Sequence, residues 1–233
     1  MRGKNSLFEA LPQDVRDRLT KLSRIKELAQ GEVLQRPGAE ILSVYFPIDC
    51  LISITVTMGE AQTAEAGIVG SREMVGLNAV MGGRETTQTE YICQFPGTAM
   101  RVPADIILKE FDESKAVRDV LLKYTQAYIA QLSQNVACNR LHTVDQRLPR
   151  WLLECRDRLQ TDNFGITHEY ISHMLGVRRA GITDATKSLQ QRGIIDSSRG
   201  TIRIADLPAL ETASCECFRV ILNQYNDLLT KQL

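Results

Sequence analysis

Apolar and polar residues change their spacing along the chain, and each change predicts a different kind of structure. Residues 1–28 carry apolar side chains at helical steps after Pro12, which predicts one or two short helices. From residue 31 to residue 102, short β-branched runs alternate with turns, as in Leu-Ile-Ser-Ile-Thr-Val-Thr-Met at 51–58. Short strands at near-regular spacing, without helices between them, predict a jelly-roll-like β-roll.

A helical pattern returns after the roll and continues over residues 114–139, a length of about 39 Å at 1.5 Å per residue. One apolar stripe follows this helix at steps of three and four, and it consists of Val117, Leu121, Tyr124, Tyr128, Leu132 and Val136. Such a stripe must be covered. Packing on the roll of the same chain is one solution, but a stripe along so long a helix favours a parallel homodimer seam.

Two short helices joined by a tight turn are predicted over residues 167–191. Thr167 can cap the first helix, Gly176 suits the turn, and Gly193 ends the second helix. The pattern of residues 194–204 is typical of a β-hairpin that turns at Gly200. A helix pair followed by a hairpin is a winged helix-turn-helix, whose second helix ordinarily enters the major groove of DNA.

These patterns predict an α+β fold made of an N-terminal β-roll, a long central dimerisation helix and a C-terminal winged helix-turn-helix. The predicted boundaries are 1–112 for an effector-sensing roll, 113–139 for the dimerisation helix, 140–207 for the DNA-binding domain and 208–233 for a helical tail.

Charge supports DNA as the partner of the winged helix. The whole chain has 28 basic and 28 acidic residues, but the stretch from Arg178 to Arg203 contains six basic residues and only two acidic ones. Contacts to phosphates need such a bias, whereas a winged helix that docks on another protein does not. Double-stranded DNA is therefore the expected partner, and a receptor module that binds a protein through its winged helix is the alternative.

The distribution of reactive residues does not predict an enzyme. His142, His168 and His173 all lie beyond the roll, so the roll lacks histidines for a metal or a nucleophilic site. Cys215 and Cys217 form a C-x-C pair without a neighbouring pair in the sequence, so packing is expected and no metal is predicted. Six scattered cysteines and the lack of 18 consecutive apolar residues predict a cytoplasmic protein with reduced thiols and no membrane partner.

Several motifs resemble the Crp/Fnr family of bacterial transcriptional regulators. They are Gly-Val-Arg-Arg-Ala-Gly-Ile-Thr at 176–183, Ser-Arg-Gly at 198–200, Val-Tyr-Phe-Pro at 44–47, Gly-Ser-Arg-Glu-Met-Val-Gly at 70–76 and Cys-Glu-Cys-Phe at 215–218. The resemblance implies a homodimer with a cyclic-nucleotide-binding-like roll, in which an effector changes the disposition of the DNA-binding domains. Two recognition helices would then address a palindromic operator, and RNA polymerase would be a further partner of an activator.

The resemblance also implies the residues of the DNA site. They are Arg178, Arg179, Thr183, Lys187, Arg199, Thr167 and His168. Arg179 matches the base-reading arginine of the family, and Arg199 lies in the wing.

The effector site departs from the family pattern. Glu73 and Arg84 are the residues nearest to the family's ligand-binding glutamate and arginine, but Glu73 follows Arg72 instead of glycine, and Glu85 follows Arg84. An acidic neighbour opposes an anionic ligand, so cyclic AMP is not expected and the effector stays unassigned. Residues 1–49 contain no cysteine, which argues against the iron–sulfur cluster of other members. No cofactor is therefore predicted.

Overall fold

A computed structural model describes residues 4–59, 63–82 and 89–230, and it confirms the predicted fold class. Two helices open the chain, α1 (Ser6–Glu9) and α2 (Gln13–Leu22). The expectation that the helical pattern extends through Ile25 is wrong, because Arg24–Leu28 form strand β1. The backbone of β1 pairs antiparallel with a strand more than 70 residues later, which no local pattern reveals.

The described strands of the roll form two antiparallel sheets. After β1 they are β2 (Val33–Gln35), β3 (Ser43–Pro47), β4 (Leu51–Thr57), β5 (Thr63–Val69), β6 (Thr89–Phe95) and β7 (Gly97–Pro103). One sheet has the order β1-β7-β3 and the other β2-β6-β4-β5. Tyr45 from the first sheet packs with Ile52, Ile54 and Cys93 from the second, so the core of the roll lies between the sheets.

Strand β4 is buried on both of its faces. Ile52 and Ile54 point into the roll, whereas Leu51 packs in a second core together with Trp151 and Leu152 of the C-terminal domain. Alternate residues of a strand point to opposite faces, so the outer face of the four-stranded sheet is covered by that domain.

Two helices follow the roll, α3 (Ala104–Glu113) and α4 (Lys115–Leu141). Helix α4 is the predicted long helix, and the Ser114 hydroxyl caps it by accepting the Val117 amide at 3.4 Å. Its 27 residues span about 40 Å. None of the helices within the described ranges has the length and apolar character needed to cross a membrane.

The C-terminal domain contains the predicted helix pair and hairpin. Its elements are α5 (Val144–Leu159), β8 (Asn163–Gly165), α6 (His168–Leu175), α7 (Arg179–Gln191), β9 (Ile195–Ser198), β10 (Thr201–Ile204) and α8 (Leu207–Ala213). Thr143 and Gln146 form a capping box at the start of α5. Strand β8 was not predicted, because its three residues acquire strand character only by pairing with β10.

The last helix, α9 (Cys217–Thr230), returns from the DNA-binding domain to α4 and the roll. Ile221 and Tyr225 belong to the buried core that the roll shares with α4. The Tyr225 hydroxyl donates to Gln131 Oε1 at 2.6 Å, and its ring lies 6.4 Å from that of Tyr124. Helix α9 therefore connects the last domain to the first.

Candidate DNA-binding surface

The turn between α6 and α7 depends on two local features. The Thr167 hydroxyl accepts a hydrogen bond from the Tyr170 amide at 3.2 Å and so caps α6. Gly176 ends α6 with a φ of 60°, in the left-handed region that favours glycine. Helix α7 then begins at Arg179, with Arg178 as its N-cap.

Helix α7 has one buried and one exposed face. The buried face consists of Ile182, Ala185 and Leu189. Arg179, Thr183 and Lys187 are exposed and follow one another at successive turns, and Arg178 is exposed beside them. The structure therefore presents four of the predicted DNA contacts together on one surface.

His168 connects the two helices of the pair. Its Nδ1 lies 3.3 Å from the Thr183 hydroxyl, which also donates to the Arg179 carbonyl at 3.1 Å. Burial, and then the charge of Arg179, lower the pKa of His168 below its ordinary value, so its ring is neutral at pH 7. In the free protein, Thr167 caps α6 and His168 positions Thr183; their contacts with DNA stay predictions.

The wing is a hairpin beside this surface. Strands β9 and β10 pair antiparallel, and Gly200 has a φ of 75° at the turn between them. Arg199 stands exposed at the turn, while Arg203 is paired with Asp196 across the two strands. Arg199 is therefore exposed on the wing, and its contact with the DNA backbone stays a prediction.

Residues 70–73, which we name the docking segment, hold the DNA-binding domain against the roll. A Cβ at Gly70 would lie 2.5 Å from the Cβ of Arg158, so only glycine allows this close approach. The Ser71 hydroxyl donates to the Arg158 carbonyl at 3.0 Å, and Arg72 pairs with Asp157 at 2.7 Å.

Glu73 completes the docking segment through a buried ion pair. Its carboxylate accepts a hydrogen bond from Arg158 Nη2 at 2.7 Å and another from the Gly70 amide at 2.6 Å. Both side chains of the Glu73–Arg158 ion pair are almost fully buried. Glu73 is therefore engaged in a buried ion pair, and its predicted contact with an effector stays a prediction. Arg84, the other predicted effector residue, lies outside the described residues.

A buried polar network continues from this ion pair. Arg158 Nη1 lies 3.9 Å from Glu154, whose carboxylate accepts Arg150 at 2.6 Å. Arg150 also donates to Asn135 of α4 at 2.9 Å. The network joins the roll to α5 and α5 to α4, so a displacement of any one of them disturbs its partners.

Glu65 on β5 makes a second polar contact between the domains. Trp151 Nε1 donates to Glu65 Oε1 at 3.0 Å, and Glu65 Oε2 lies 2.6 Å from the Ser53 hydroxyl. Burial raises the pKa of Glu65 to about 7, although the hydrogen bonds of Ser53 and Trp151 favour the charged form. The docked state therefore favours a protonated Glu65.

Domain docking should weaken as the pH rises. Folding raises the pKa of Glu65 from 4.5 to about 7. The stabilisation that depends on the protonated carboxyl is therefore fully present below pH 4.5 and is lost as the pH rises through 7. We expect Glu65 to lower the free energy of unfolding by about 1–3 kcal/mol between about pH 5 and about pH 8. Trp151 is the only tryptophan, so its fluorescence during urea unfolding measures this change directly.

Glu65→Gln is the control for this pH dependence, because a neutral amide can still accept from Trp151. The variant should remove the Glu65 part of the pH dependence. Equal pH profiles for the variant and the wild type would show that Glu65 does not titrate in this range.

The predicted dimer stripe on α4 lies mostly inside the chain. Val117, Leu121 and Tyr124 are fully buried in the core shared with the roll, and Tyr128 packs against it. These residues are unavailable to a second chain, so the predicted phase of the seam is wrong. Leu132 is half-buried, and only Val136 is exposed.

A different stripe of α4 faces solvent, and we name it the outer stripe. Its residues are Leu122, Gln126, Ile129, Ser133, Val136 and Arg140. They follow one another at steps of four and three, which is the spacing of a coiled-coil seam. Leu122, Ile129 and Val136 are 52%, 54% and 72% exposed, which is high for apolar residues seven positions apart on one helix.

The C-x-C pair of the tail has neighbours that the sequence did not reveal. Cys138 and His142 at the end of α4 lie beside Cys215 and Cys217, with the four possible ligand atoms within 4.8 Å of one another. The expectation that Cys215 and Cys217 lack partner ligands is therefore wrong.

Sequence reasoning also missed Glu65, Arg72 and Arg158 as residues that hold the domains together. A signal was available at Trp151, because a buried indole N–H needs an acceptor and so predicts a polar partner. No local pattern indicated Arg158, whose partner Glu73 is 85 residues away.

A small cavity lies between the described residues of the roll and α4. A cavity of about 10 Å³, lined in part by Tyr91, Tyr124 and Tyr128, has room for about one water. A larger ligand at this place would require these tyrosine side chains to move.

Comparisons with known proteins agree with this architecture. The family model of the Crp-like helix-turn-helix domain matches residues 146–213. No curated protein matches the chain by sequence. The fold is similar to that of a protein assigned to the Crp/Fnr regulators of Eubacterium rectale, with a TM-score of 0.68, 19% identity, and coverage of 89% of this chain and 96% of that one.

Two further solved structures have a similar fold. FixK2 from Bradyrhizobium japonicum has a TM-score of 0.71 at 14% identity, covering 83% of this chain and 98% of its own. The c-di-GMP responsive global regulator CLP of Xanthomonas campestris has a TM-score of 0.66 at 14% identity, covering 83% and 99%. At these identities the similarity shows the fold.

The matched helix-turn-helix domain and the surrounding roll and long helix define a DNA-binding transcriptional regulator. Residues 146–213 thus match the Crp-like helix-turn-helix family, and the chain shares its fold with the solved Crp/Fnr regulator.

Proposed function

We propose that the protein binds a palindromic DNA operator as a homodimer and reads each half-site with α7. The observation that carries this proposal is the exposed row formed by Arg179, Thr183 and Lys187 on a helix whose opposite face is buried. A helix of this kind fits the major groove, and the basic side chains face the DNA.

Arg179 is the proposed base-reading residue. It is 69% exposed and lies 4.0 Å from Glu169, a weak surface pair that DNA can replace. An arginine at the start of a recognition helix can donate two hydrogen bonds to guanine O6 and N7. Arg178, Thr183 and Lys187 would support this contact from the same surface.

Contacts to phosphates are proposed for the edges of the surface. Arg199 would reach the backbone from the wing, and Thr167 and His168 lie at the N-terminal end of α6, where the helix dipole favours an anion. His168 would contribute a hydrogen bond to a phosphate from this position.

The homodimer would form through the outer stripe of α4. Two parallel copies that pair Leu122, Ile129 and Val136 would bury the exposed apolar side chains. A palindromic operator requires the two recognition helices to lie about 34 Å apart. Such a dimer would act on DNA in the cytoplasm, with RNA polymerase as a further partner if it activates transcription. A regulator of this type needs no catalytic centre of its own.

The roll would receive the effector, whose identity we leave open. Glu73 is engaged with Arg158, so a ligand that uses Glu73 must break an ion pair between the roll and α5. Effector binding and domain docking would then compete for the same carboxylate, which gives the roll a direct way to release the DNA-binding domain.

Arg179→Ala should cost about 1–3 kcal/mol of binding free energy on the preferred operator, because one bidentate base contact per half-site is lost. Selection from random-sequence DNA with the wild type defines that operator. The variant should then relax the preference at one base pair in each half-site.

Arg199→Ala and Arg192→Ala are the matched controls, since all three arginines are exposed in the same domain. Arg199→Ala should weaken every DNA sequence alike, and Arg192→Ala should leave the selected motif intact. An unchanged motif with Arg179→Ala would refute the role of Arg179. A wild type that enriches no sequence would favour the alternative of a winged helix that docks on a protein.

A further inference from the structure

Four side chains with metal-binding atoms meet where α4 ends and α9 begins. Cys138 and His142 lie one turn apart at the end of α4, and Cys215 and Cys217 flank the start of α9. The three cysteines are buried and form a cluster of their own, and His142 is half-buried beside them. These residues take no part in the DNA-binding surface.

We propose that Cys138, His142, Cys215 and Cys217 bind one Zn²⁺ ion per chain in a tetrahedral site. The sulfurs of Cys138 and Cys215 are 3.6 Å apart, and Cys217 Sγ is 3.5 Å from His142 Nδ1. Zn–S bonds of about 2.3 Å and Zn–N bonds of about 2.0 Å give tetrahedral edges of about 3.8 Å between sulfurs and about 3.5 Å between sulfur and nitrogen. These two separations are close to those edge lengths, and all four ligand atoms lie within 4.8 Å of one another. Three thiolates with one imidazole form a closed, structural zinc set.

The residues around the cluster orient these ligands. His142 Nε2 lies 3.4 Å from the Glu216 carboxylate, while Nδ1 faces the cysteines. A carboxylate on the far ring nitrogen is the usual support of a zinc-bound histidine, because it fixes the tautomer and the ring orientation. Gln134 Nε2 lies 3.1 Å from Cys217 Sγ, a distance at which its amide can donate to a thiolate.

A disulfide explains this cluster less well than a metal does. The sulfurs of Cys138 and Cys215 would have to approach from 3.6 Å to about 2.05 Å. A disulfide would also leave the third cysteine and the orientation of His142 towards the sulfurs without a purpose. A single Zn²⁺ ion uses all four groups.

The position of the site suggests its consequence, which rests on the proposed function. The metal would join the last turn of α4, which carries the dimer seam, to α9, which follows the DNA-binding domain. It would thereby fix the angle between the dimer axis and the recognition helix without touching DNA.

Metal binding can be measured on the free protein, without DNA. Elemental analysis of the purified full-length chain should give one zinc per chain. Titration of the metal-free protein with Co²⁺ should produce the charge-transfer and d–d absorption bands of a tetrahedral cobalt–thiolate site. Cys138→Ser should remove the stoichiometric zinc and the bands, whereas Cys93→Ser, a buried cysteine of the roll, should retain both.

Glu216→Gln tests the site without a risk to folding, because the Glu216 side chain is 71% exposed. We expect zinc affinity, measured by competition with a chelator, to fall about 10–100-fold while the stoichiometry stays at one. A wild-type chain without bound zinc and without cobalt bands would overturn the proposal, as would a Cys138–Cys215 disulfide in the purified protein or bands that survive Cys138→Ser. Failure to select a DNA motif would contradict the proposed function and leave the metal result unaffected.

Discussion

Ile129→Glu is expected to convert the homodimer to a monomer and to lower operator affinity by at least about 100-fold. Ile129 lies in the middle of the outer stripe and is 54% exposed in the single chain, so the change does not disturb the chain's own core. In a dimer the same position faces its copy, where two buried carboxylates without partners oppose association. Operator affinity falls because a monomer loses the gain of about 10²–10⁴ that two linked half-site contacts provide.

Sedimentation at micromolar concentration measures the assembly, and fluorescence anisotropy of a labelled operator measures binding. Ile129→Val is the matched control that retains an apolar side chain, and Ala116→Glu adds the same charge to an exposed position in the first turn of α4. Both controls should remain dimeric. A wild type that sediments as a monomer, or an Ile129→Glu variant that stays dimeric, would show that the outer stripe is not the seam.

Arg158→Ala is expected to destabilise the docked structure by about 3–5 kcal/mol. The substitution leaves the buried Glu73 carboxylate without its cation and opens the network that leads through Glu154 to α4. Because the chain has two domains, the loss should appear first as separation of the DNA-binding domain from the roll. Urea unfolding followed by Trp151 fluorescence detects this step, since Trp151 lies at the domain contact.

Arg156→Ala provides the comparison on the same helix. Arg156 pairs with Asp162 at 2.6 Å, but both side chains are substantially exposed, so its loss should cost less than about 1 kcal/mol. Equal destabilisation by the two substitutions would mean that the buried ion pair does not hold the domains together.

Elements that depend on local signals were predictable from the sequence. The cap at Thr167, the left-handed Gly176 and the apolar positions of α7 all act within a few residues, so the helix pair and its exposed arginines follow from them. The strands of the roll are similarly marked by β-branched runs between turns. Strands β1 and β8 were missed because each is defined by its partner strand and not by its own composition.

The phase of the proposed α4 seam could not be read from the sequence, because this helix has two apolar stripes. The buried one contains Val117, Leu121 and Tyr124, and it is the more continuous in the sequence. In the outer stripe, polar residues lie between the apolar residues Leu122 and Ile129, so the sequence marks this stripe only weakly as apolar. A strong stripe indicates that a helix is covered, but it does not indicate whether the cover is the same chain or another.

Contacts between distant segments were beyond local reasoning. Glu73 and Arg158 are 85 residues apart, and Cys138 and Cys215 are 77 apart. Each of these residues has an ordinary local explanation as an effector ligand, a helix charge or a core thiol. Only the return of α9 along α4 and the docking of α5 on the roll bring them together.

The position of α9 in the core also determines the order in which the protein can mature during translation. Tyr124 is synthesised about a hundred residues before Tyr225, whose ring covers it in the finished core. Translation proceeds at about 5–20 residues per second, so α9 is synthesised roughly 5–20 s after the part of α4 that it covers. The nascent chain therefore exposes an apolar surface during this interval, and chaperones at the ribosome can bind that surface.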